Sequence, residues 1–516
     1  MKDTLATITA DFDGNGDRFL NQAEVSTTEL FGTIANIEDG QTVTITVTDS
    51  QGLEKTFEST ISAGKWSVSN ADLTDLAEGE ITVLAESTDI AGNPASATNT
   101  IIKDTAANIT TSFDGKGDAY LNAVETPITD VFGAVENIED GQTVTITITD
   151  SSGADKIYTT TVNNGKWTVN DADLTSLAEG QLTVTTTATD IAGNTTSATN
   201  TIIKDTLAEI TANFEANGDS FLNKAEIDAK TTLFGDVDFV EENQPVTVKV
   251  TDSNGKTITL TTTIISGAWQ IDDVDLSALA EGKLTVTAEV IDVAGNPAST
   301  TNTIIKDTLS TITANFDGKG DEYLNRDEIS VTDLFGSVSN VENGQNVTIK
   351  ITDSNGLEKS FETTVIDGKW TIEDADLTDF VEGELTVIAE TVDLAGNTSS
   401  ATNTIIKDTF TGISADFDGK GDEYLNRVEI PVTDLLGKIE NVEDGQLVTI
   451  TITDSNGLEK IYTSTVINGN WTVDNADLTG LSEGELTVIA DTVDIAGNQV
   501  SATDTIIKDT LATITA

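Results

Sequence analysis

The chain contains no cysteine and no histidine among its 516 residues. Without cysteine there are no disulfide bonds or thiolate metal sites, and without histidine most of the usual zinc ligands are also missing. Any bound metal must therefore be held by oxygen atoms. No run of about 18 apolar residues occurs, and no basic segment precedes an apolar stretch at the N-terminus. The sequence thus predicts neither a membrane span nor a signal peptide.

Basic residues are scarce: 26 Lys and Arg stand against 88 Asp and Glu, which gives a formal net charge of -62. A surface this negative repels phosphate backbones and anionic membranes, so nucleic-acid binding and membrane insertion are both disfavoured. Divalent cations are the partners that the charge predicts, and with oxygen as the ligand atom we expect Ca²⁺.

One string, Ile-Ile-Lys-Asp-Thr, recurs with a period of about 101 residues. It ends at Thr105, Thr206, Thr308, Thr409 and Thr510, and Lys2-Asp3-Thr4 has the same phase. A unit of this size can bury its own core. We therefore predict five domains, at 1–103, 104–204, 205–306, 307–407 and 408–508, with the start of a next repeat at 509–516. The shared phase of both ends indicates a segment of a longer array, which we expect to be monomeric.

Apolar and polar residues alternate strictly in the repeats, as in 42–48 (TVTITVT), which is typical of strands with one buried face. Seven strands are predicted in the first repeat: Ala6–Ala10, Glu29–Ala35, Gln41–Thr48, Glu54–Ile61, Trp66–Ser69, Glu80–Ser87 and Ser96–Lys103. Residues 72–76 are expected to form one helical turn. The predicted fold class is all-β: tandem immunoglobulin-like β-sandwich domains, arranged end to end as a rod.

Each repeat has a single tryptophan, which follows a glycine turn at the same phase: Trp66, Trp167, Trp269, Trp370 and Trp471. A sandwich of this size needs one large side chain between its sheets, so a core anchor explains these residues better than ligand stacking. Phe19, Tyr120, Phe221, Tyr323 and Tyr424 share another position, and we expect them to be packed.

The loops between the strands should divide between two poles of each sandwich. If the strands run antiparallel in order, the loop after the first strand, the turn near Asp49 and the loop near Asp72 share a pole with the exit linker. The loops near Glu38 and Asp89 share the opposite pole. Each Lys-Asp-Thr linker then lies between acidic loops of two successive domains, which is where cations are expected.

The richest acidic loop, residues 11–24, opens with the calcium-loop spacing Asp-x-Asp-x-Asn-Gly. It is not an EF-hand, because Gln22 stands at the twelfth position and a strand precedes the loop. Its recurring acidic residues are still candidate Ca²⁺ ligands: Asp13, Asp17, Glu24, Asp114, Asp118, Glu125, Asp219, Glu226, Asp317, Asp321, Glu328, Asp418, Asp422 and Glu429. The alternative is a solvated turn in which Asn-x-x-Glu caps a short helical turn.

Three further recurring acidic positions are candidate ligands, because a buried group of carboxylates needs a counter-ion. The linker aspartates are Asp104, Asp205, Asp307 and Asp408. The aspartates of the Asp-x-Ala-Gly-Asn motif are Asp89, Asp190, Asp292, Asp393 and Asp494. The loop glutamates at the same pole are Glu38, Glu139, Glu241, Glu342 and Glu443, for which plain surface charge is the alternative.

The unit that runs from Lys-Asp-Thr through Gly-Lys-Trp and Ala-Asp-Leu to Thr-Asp-Ile-Ala-Gly-Asn resembles the bacterial immunoglobulin-like extender repeats of large repeats-in-toxin adhesins and biofilm-associated surface proteins. The resemblance covers essentially the whole chain. It implies that the repeats project a ligand-binding tip from the cell, and that Ca²⁺ at the domain junctions stiffens the rod. The linker aspartate and the Asp-x-Ala-Gly-Asn aspartate are the positions it carries over. The third repeat departs most, with an extra residue around 236–242.

The expected function is therefore that of a structural extender at the bacterial cell surface. A ten-residue strand spans about 33 Å, so five domains in line would reach on the order of 200 Å. An array that itself binds carbohydrate or protein is the alternative, and it would need exposed aromatic residues on one face. An enzyme is not expected, because no repeat has a distinct constellation of catalytic residues.

Overall fold

The computed structural model describes residues 5–418 and 421–512, and in each of the five repeats they form two facing β-sheets. The strands of the first repeat are β1 Thr7–Ile8, β2 Asp11–Phe12, β3 Phe19–Leu20, β4 Thr28–Ala35, β5 Thr42–Thr48, β6 Glu54–Thr60, β7 Lys65–Ala71, β8 Gly79–Thr88 and β9 Pro94–Lys103. Each later repeat has the same nine strands in the same order.

The second repeat contains β10–β18: Asn108–Ile109, Ser112–Phe113, Tyr120–Leu121, Thr129–Glu136, Thr143–Thr149, Asp155–Thr161, Lys166–Ala172, Gly180–Thr189 and Thr195–Lys204. The third contains β19–β27: Glu209–Ile210, Asn213–Phe214, Phe221–Leu222, Thr231–Asp238, Pro245–Thr251, Thr257–Thr263, Ala268–Val274, Gly282–Ile291 and Pro297–Lys306.

The fourth repeat contains β28–β36: Thr311–Ile312, Asn315–Phe316, Tyr323–Leu324, Thr332–Ser339, Asn346–Asp353, Glu358–Thr364, Lys369–Ala375, Gly383–Val392 and Thr398–Lys407. The fifth contains β37–β45: Gly412–Ile413, Asp416–Phe417, Tyr424–Leu425, Thr433–Glu440, Leu447–Asp454, Glu459–Thr465, Asn470–Ala476, Gly484–Val493 and Gln499–Lys508. Helical structure within the described residues is limited to helix α1, Lys224–Ala229, and a 3₁₀ turn, Thr126–Ile128.

The topology places the chain ends of each repeat at opposite poles. In the first repeat β4 pairs with β1, β2 and β7 to make a four-stranded sheet, and β3-β9-β8-β5-β6 is the order of the five-stranded sheet. All pairs are antiparallel except the short β3, which runs parallel to the end of β9 with Leu20 opposite Lys103. This pairing brings the loop that follows β3 beside the exit linker.

The tryptophan is the centre of each core, as the sequence predicted. All five are 1–2% exposed. Trp66 Nε1 donates to the backbone oxygen of Thr9 at 3.0 Å, so its one polar atom is satisfied inside the sandwich. Gly32 on β4 makes room for this arrangement, because a Cβ there would lie 1.9 Å from Thr9 O and 2.5 Å from the indole nitrogen.

The six long strands confirm the predicted pattern to within about two residues, and three details differ. The predicted strand at 6–10 is shorter, and two additional short strands, β2 and β3, lie at the ends of the acidic loop. Residues 72–76 form a hydrogen-bonded turn and not a helix, closed by Leu76 N donating to Leu73 O. Tyr424 is 49% exposed, so the expectation that this aromatic position is packed is wrong in the fifth repeat. No helix among the described residues could span a membrane.

Candidate functional site

Successive repeats are joined by hydrogen bonds between the loop after β3 and the Asp-x-Ala-Gly-Asn loop of the next repeat. At the first junction Asn21 Nδ2 donates to Ala192 O at 3.1 Å, and the backbone nitrogen of Gln22 donates to Asn194 Oδ1 at 2.8 Å. Asn194 Nδ2 then donates to the backbone oxygen of Asp104 at 2.8 Å. One buried asparagine therefore bonds both the exit loop and the linker.

The same three bonds recur at the other junctions, with distances of 2.8–3.1 Å. Their donor and acceptor residues are Asn122–Ala294, Ala123–Asn296 and Asn296–Asp205; Asn223–Ala395, Lys224–Asn397 and Asn397–Asp307; and Asn325–Ala496, Arg326–Asn498 and Asn498–Asp408. A fourfold repetition of one geometry indicates a built interface between domains.

The linker itself is fixed by two residues that the sequence reasoning did not single out. Lys103 is 4% exposed, and its Nζ donates to the backbone oxygens of Thr74, at 2.8 Å, and Leu76. Glu78 accepts from the backbone nitrogen of Thr105 at 2.8 Å and from its hydroxyl at 2.6 Å. The Lys-Asp-Thr string is therefore anchored to the repeat that precedes it.

The equivalent lysines and glutamates anchor the other linkers in the same way. They are Lys204 with Glu179, Lys306 with Glu281, Lys407 with Glu382 and Lys508 with Glu483. The sequence did contain a signal for these lysines. Each stands at the end of the Ile-Ile-Lys strand in an inward-facing position, and a buried lysine needs carbonyl or carboxylate partners.

The anchored linker aspartate lies among carboxylates from both repeats. Burial, followed by the negative charges of Asp190 and Glu139, raises the pKa of Asp104 to about 6, and Glu78 adds a smaller contribution. Glu139 is held in place because its Oε2 accepts from the backbone nitrogen of Ile191 at 3.1 Å. The linker aspartate, the Asp-x-Ala-Gly-Asn aspartate and the loop glutamate thus lie near one another at the junction, where the pole arrangement placed them, although they do not reach metal-binding distances.

The other three junctions have the same electrostatics. Burial and then Asp292 raise the pKa of Asp205 to about 6, and burial and then Asp494 do the same for Asp408. The pKa of Asp307 is raised by burial and then by Asp393. The loop glutamates that contribute at these junctions are Glu241, Glu342 and Glu443. The extra residue of the third repeat leaves this arrangement intact.

The structure places the entry-pole residues of the first repeat in the same local geometry. Glu38 Oε2 accepts from Ile90 N at 3.1 Å. Asp89 is 4% exposed, and hydrogen bonds from the side chain and backbone of Asn93 lower its pKa. The linker residue that would face them, Asp3, lies outside the described residues.

The acidic loop at 11–24 uses its side chains within its own repeat. Asp17 Oδ1 accepts from Phe19 N at 2.8 Å, and Glu24 Oε2 accepts from Asn21 N at 3.1 Å. Asn21 Oδ1 accepts in turn from Glu24 N at 3.1 Å, which is the reciprocal pattern of a capping box. The corresponding glutamates, Glu125, Glu226, Glu328 and Glu429, accept from the equivalent asparagines, and the corresponding aspartates, Asp118, Asp219, Asp321 and Asp422, accept from the residue two positions later.

The remaining candidates of this loop, at its third position, behave similarly. Asp13, Asp114 and Asp317 each accept from the backbone nitrogen two residues later, and Asp418 occupies the same position in the fifth repeat. In the first repeat the side chain of Asn15 donates to Glu24. In the fourth repeat lysine stands at the equivalent position, and Lys319 Nζ lies 3.9 Å from Glu328 Oε1. These contacts favour the capping alternative for the loop.

The junction is the better candidate for a cation. Within residues 5–418 and 421–512 no group of three or more acidic side chains has converged to metal-binding distances. At the third junction, however, Glu281, Asp307 and Glu342 line a cavity of about 280 Å³ together with Lys306, whose Nζ lies 3.6 Å from Glu281 Oε1, and the cavity has room for an ion and its water. An all-oxygen donor set on a half-buried, mutually repelling group of carboxylates fits Ca²⁺.

The comparisons agree with the sandwich fold. Residues 132–206, most of the second repeat, match the model of the bacterial Ig-like domain. This match confirms the resemblance to bacterial immunoglobulin-like repeats for that segment, and the other four repeats share its strand order. No curated protein matches the chain.

Several solved structures are similar. One is a tetra-tandem repeat in the extending region of a large adhesion protein, with 27% identity over 79% of this chain and 100% of that one and a TM-score of 0.37. A Ca²⁺-stabilized adhesin that helps an Antarctic bacterium reach out and bind ice has 26% identity over 78% of this chain and 99% of that one, with a TM-score of 0.27. A 1.5-MDa bacterial ice-binding adhesin has 24% identity over 58% and 98%, with a TM-score of 0.29.

Proposed function

We propose that this chain is an extender segment of a bacterial cell-surface adhesin, a rod that Ca²⁺ stiffens at its domain junctions and that projects a distal ligand-binding region. The observation that carries the proposal is the linker aspartate, which each of the four internal junctions holds between carboxylates of two successive repeats. Redundant copies of one junction suit length and stiffness. Such a protein acts outside the cell and needs no catalytic group.

At the first junction Asp104, Asp190 and Glu139 would hold the ion, and Glu78 stands beside them on the preceding repeat. Ca²⁺ takes six to eight oxygen ligands, so backbone oxygens and water would complete its shell. Binding replaces the repulsion between these carboxylates by attraction to a shared charge, which stabilises the docked arrangement of the two domains. Millimolar extracellular calcium suits sites of modest affinity.

The alternative, an array that binds ligands through aromatic residues, has less support. The five tryptophans are committed to the cores, where each donates its indole hydrogen to a backbone oxygen: Thr9, Thr110, Thr211, Thr313 and Ser414.

The test is small-angle X-ray scattering and thermal melting of the whole chain in EDTA and in millimolar Ca²⁺. The expected result is a longer maximum dimension in Ca²⁺, near the 200 Å scale set by strand length, and a higher melting temperature. A fourfold variant with Asp→Asn at the linker aspartates should lose both responses. The matched control carries the same change in charge on exposed strand positions: Glu54→Gln, Asp155→Asn, Glu358→Gln and Glu459→Gln. Equal responses in both variants would rule out the junction as the calcium site.

A further inference from the structure

One position of the exit loop differs at every junction, although the bonds that join the repeats are the same. It is the residue that follows the docking asparagine of the loop after β3. Its backbone nitrogen donates to the asparagine of the next repeat at each junction, over 2.8–2.9 Å. The residues at this position, all of them exposed, are Gln22, Ala123, Lys224 and Arg326. The four junctions therefore share one backbone frame and differ in the side chain that it carries.

At the fourth junction this side chain bonds to the linker. Arg326 Nε donates to the backbone oxygen of Thr409 at 3.3 Å. Glu382 already accepts from the backbone nitrogen of Thr409 at 2.8 Å and from its hydroxyl at 2.6 Å. Every polar group of this linker residue thus has a partner, and two of the three bonds come from different segments of the fourth repeat.

The other three junctions, within the described part of the chain, have no side chain that donates to the equivalent linker oxygen. At the first, Gln22 and Thr105 instead line a cavity of about 380 Å³ between the exit loop, the linker and the next repeat. At the second, Ala123 has no polar side-chain atom. At the third, Lys224 Nζ lies 3.0 Å from Asp228 on helix α1 and is committed to that ion pair. The bond from arginine to the linker is therefore a feature of the fourth junction alone among the four.

The fifth repeat carries the same residue, Arg427, on an exit loop that has no docked repeat among the described residues. In that part of the chain Arg427 makes no bond to the backbone oxygen of Thr510, although Glu483 anchors Thr510 in the usual way. Arginine next to an anchored linker is thus not sufficient. The bond is found where Asn498 of the next repeat holds the backbone of Arg326, so it accompanies docking and adds to the stability of the docked state.

We infer that Arg326 is a latch that helps to keep the fourth junction docked in the absence of Ca²⁺. The latch acts on the neutral backbone oxygen of Thr409, so it requires neither an ion nor the carboxylate of Asp408. The net worth of one exposed hydrogen bond corresponds to a change of about fivefold in an equilibrium constant. When calcium is withdrawn, the fourth and fifth repeats should therefore stay aligned for a larger fraction of the time than the second and third, which meet at Ala123.

The test compares docking at two junctions of the whole chain in EDTA. Spin labels on introduced cysteines at the equivalent exposed positions Ser360 and Ile461 report on the fourth junction, and labels at Ile157 and Thr259 report on the second. Electron–electron dipolar spectroscopy gives the distribution of distances within each pair, in which docked junctions form a narrow component. This component should be larger across the fourth junction than across the second.

Three variants isolate the side chain. Arg326→Ala should lower the ratio of docked to undocked molecules at the fourth junction about fivefold. The matched control, Arg427→Ala, removes the same side chain and charge from the fifth repeat and should leave that ratio unchanged. In the converse experiment, Ala123→Arg should raise the ratio at the second junction about fivefold. Unchanged melting temperatures show that the repeats remain folded.

A narrow component as large in Arg326→Ala as in the parent overturns the inference. An equal loss in Arg427→Ala also overturns it, since the effect would then come from net charge. The effect of Arg326→Ala should persist from 0.15 to 0.5 M NaCl because the acceptor is neutral, and its disappearance at the higher salt would assign it to attraction by the carboxylates around Asp408 and overturn the latch. All samples contain EDTA, so the latch and the calcium site can each fail without the other.

Discussion

The asparagine of the Asp-x-Ala-Gly-Asn motif should control the docking of successive repeats even without Ca²⁺. Asn194 is 8% exposed and makes two hydrogen bonds that leave its own loop, one to Gln22 N and one to Asp104 O, both at 2.8 Å. Its Nδ2 also donates to Asp190 Oδ2 at 2.7 Å. The change Asn194→Ala removes all three bonds while leaving the neighbouring cores untouched.

The two bonds that cross to the linker and the exit loop set the magnitude of the effect. Each is between neutral groups and has a net worth of about 1 kcal/mol, so their loss costs the docked state about 2 kcal/mol. Since 1.4 kcal/mol is a factor of ten, the ratio of docked to undocked junctions should fall about 30-fold in EDTA. The bond to Asp190 is lost in both states and contributes little to this ratio.

The absence of cysteine makes the measurement direct. Cysteines introduced at the equivalent exposed positions Thr56 and Ile157 can carry spin labels on the two sides of the first junction. Electron–electron dipolar spectroscopy then reports the distribution of distances between them. In EDTA we expect the distance distribution of the parent chain to contain a narrow component from docked junctions, which Ca²⁺ enlarges, and we expect Asn194→Ala to lose most of that component.

The matched control is Asn296→Ala, the same substitution one junction further along. It should leave the distances between labels at Thr56 and Ile157 unchanged, because those labels do not span the second junction. A narrow component as large in Asn194→Ala as in the parent would refute the reasoning, since the hydrogen bonds would then not be what holds the domains together. Complete absence of the narrow component from the parent chain in EDTA would refute it as well.

Four further predictions concern the linker and its surroundings. Docking raises the pKa of Asp104 above its ordinary value of 3.8 to about 6, so docking takes up protons: in EDTA the junction should tighten as pH falls from 7.5 to 5, and the label distances should narrow. In Ca²⁺, protons compete with the ion, so the calcium affinity measured by titration calorimetry should fall over the same range. Glu139→Gln should weaken the calorimetric affinity by about tenfold or more, because it removes one carboxylate from the group. Lys204→Met should destabilise the second repeat by about 2–4 kcal/mol in urea unfolding followed by tryptophan fluorescence, since it leaves buried carbonyl oxygens unpaired, whereas exposed Lys166→Met should change stability by less than about 0.5 kcal/mol.

Local patterns were enough to predict the sandwich. Alternation of threonine with valine or isoleucine located the long strands, and the single tryptophan located the core, because both depend on burial of one face. The two-residue strands β2 and β3 were missed, because two residues are too few to show the alternation of apolar and polar side chains by which a strand is recognised in a sequence. The prediction of a helical turn at 72–76 was wrong, because a hydrogen-bonded turn anchored by Asp72 and a helical turn begin with the same residue types.

The acidic residues show where sequence reasoning reaches its limit. Counting oxygen ligands favoured the loop at 11–24, but there Glu24 and Asn21 bond to each other's backbone, which the Asn-x-x-Glu spacing equally allowed. The convergence of Asp104, Asp190 and Glu139 followed only from assigning loops to poles. Asn194 and Lys103 escaped notice because a recurring amide or lysine has no distinctive chemistry until its partners are known.

These contacts indicate what calcium has to do in the proposed mechanism. The junction is already oriented by three neutral hydrogen bonds and by a linker anchored through Lys103 and Glu78. The opposing force is the burial of the Asp104 carboxylate together with repulsion from Asp190 and Glu139, and both raise its pKa. An ion at this position removes the opposing force from an interface whose geometry is set, so it should shift a docking equilibrium and leave the fold of each repeat unchanged. For that reason the melting temperature and the maximum dimension need not respond to calcium over the same concentration range. The maximum dimension follows the occupancy of the junctions, which saturates. The folded repeat, in contrast, is stabilised further against unfolding as free calcium rises above the dissociation constant.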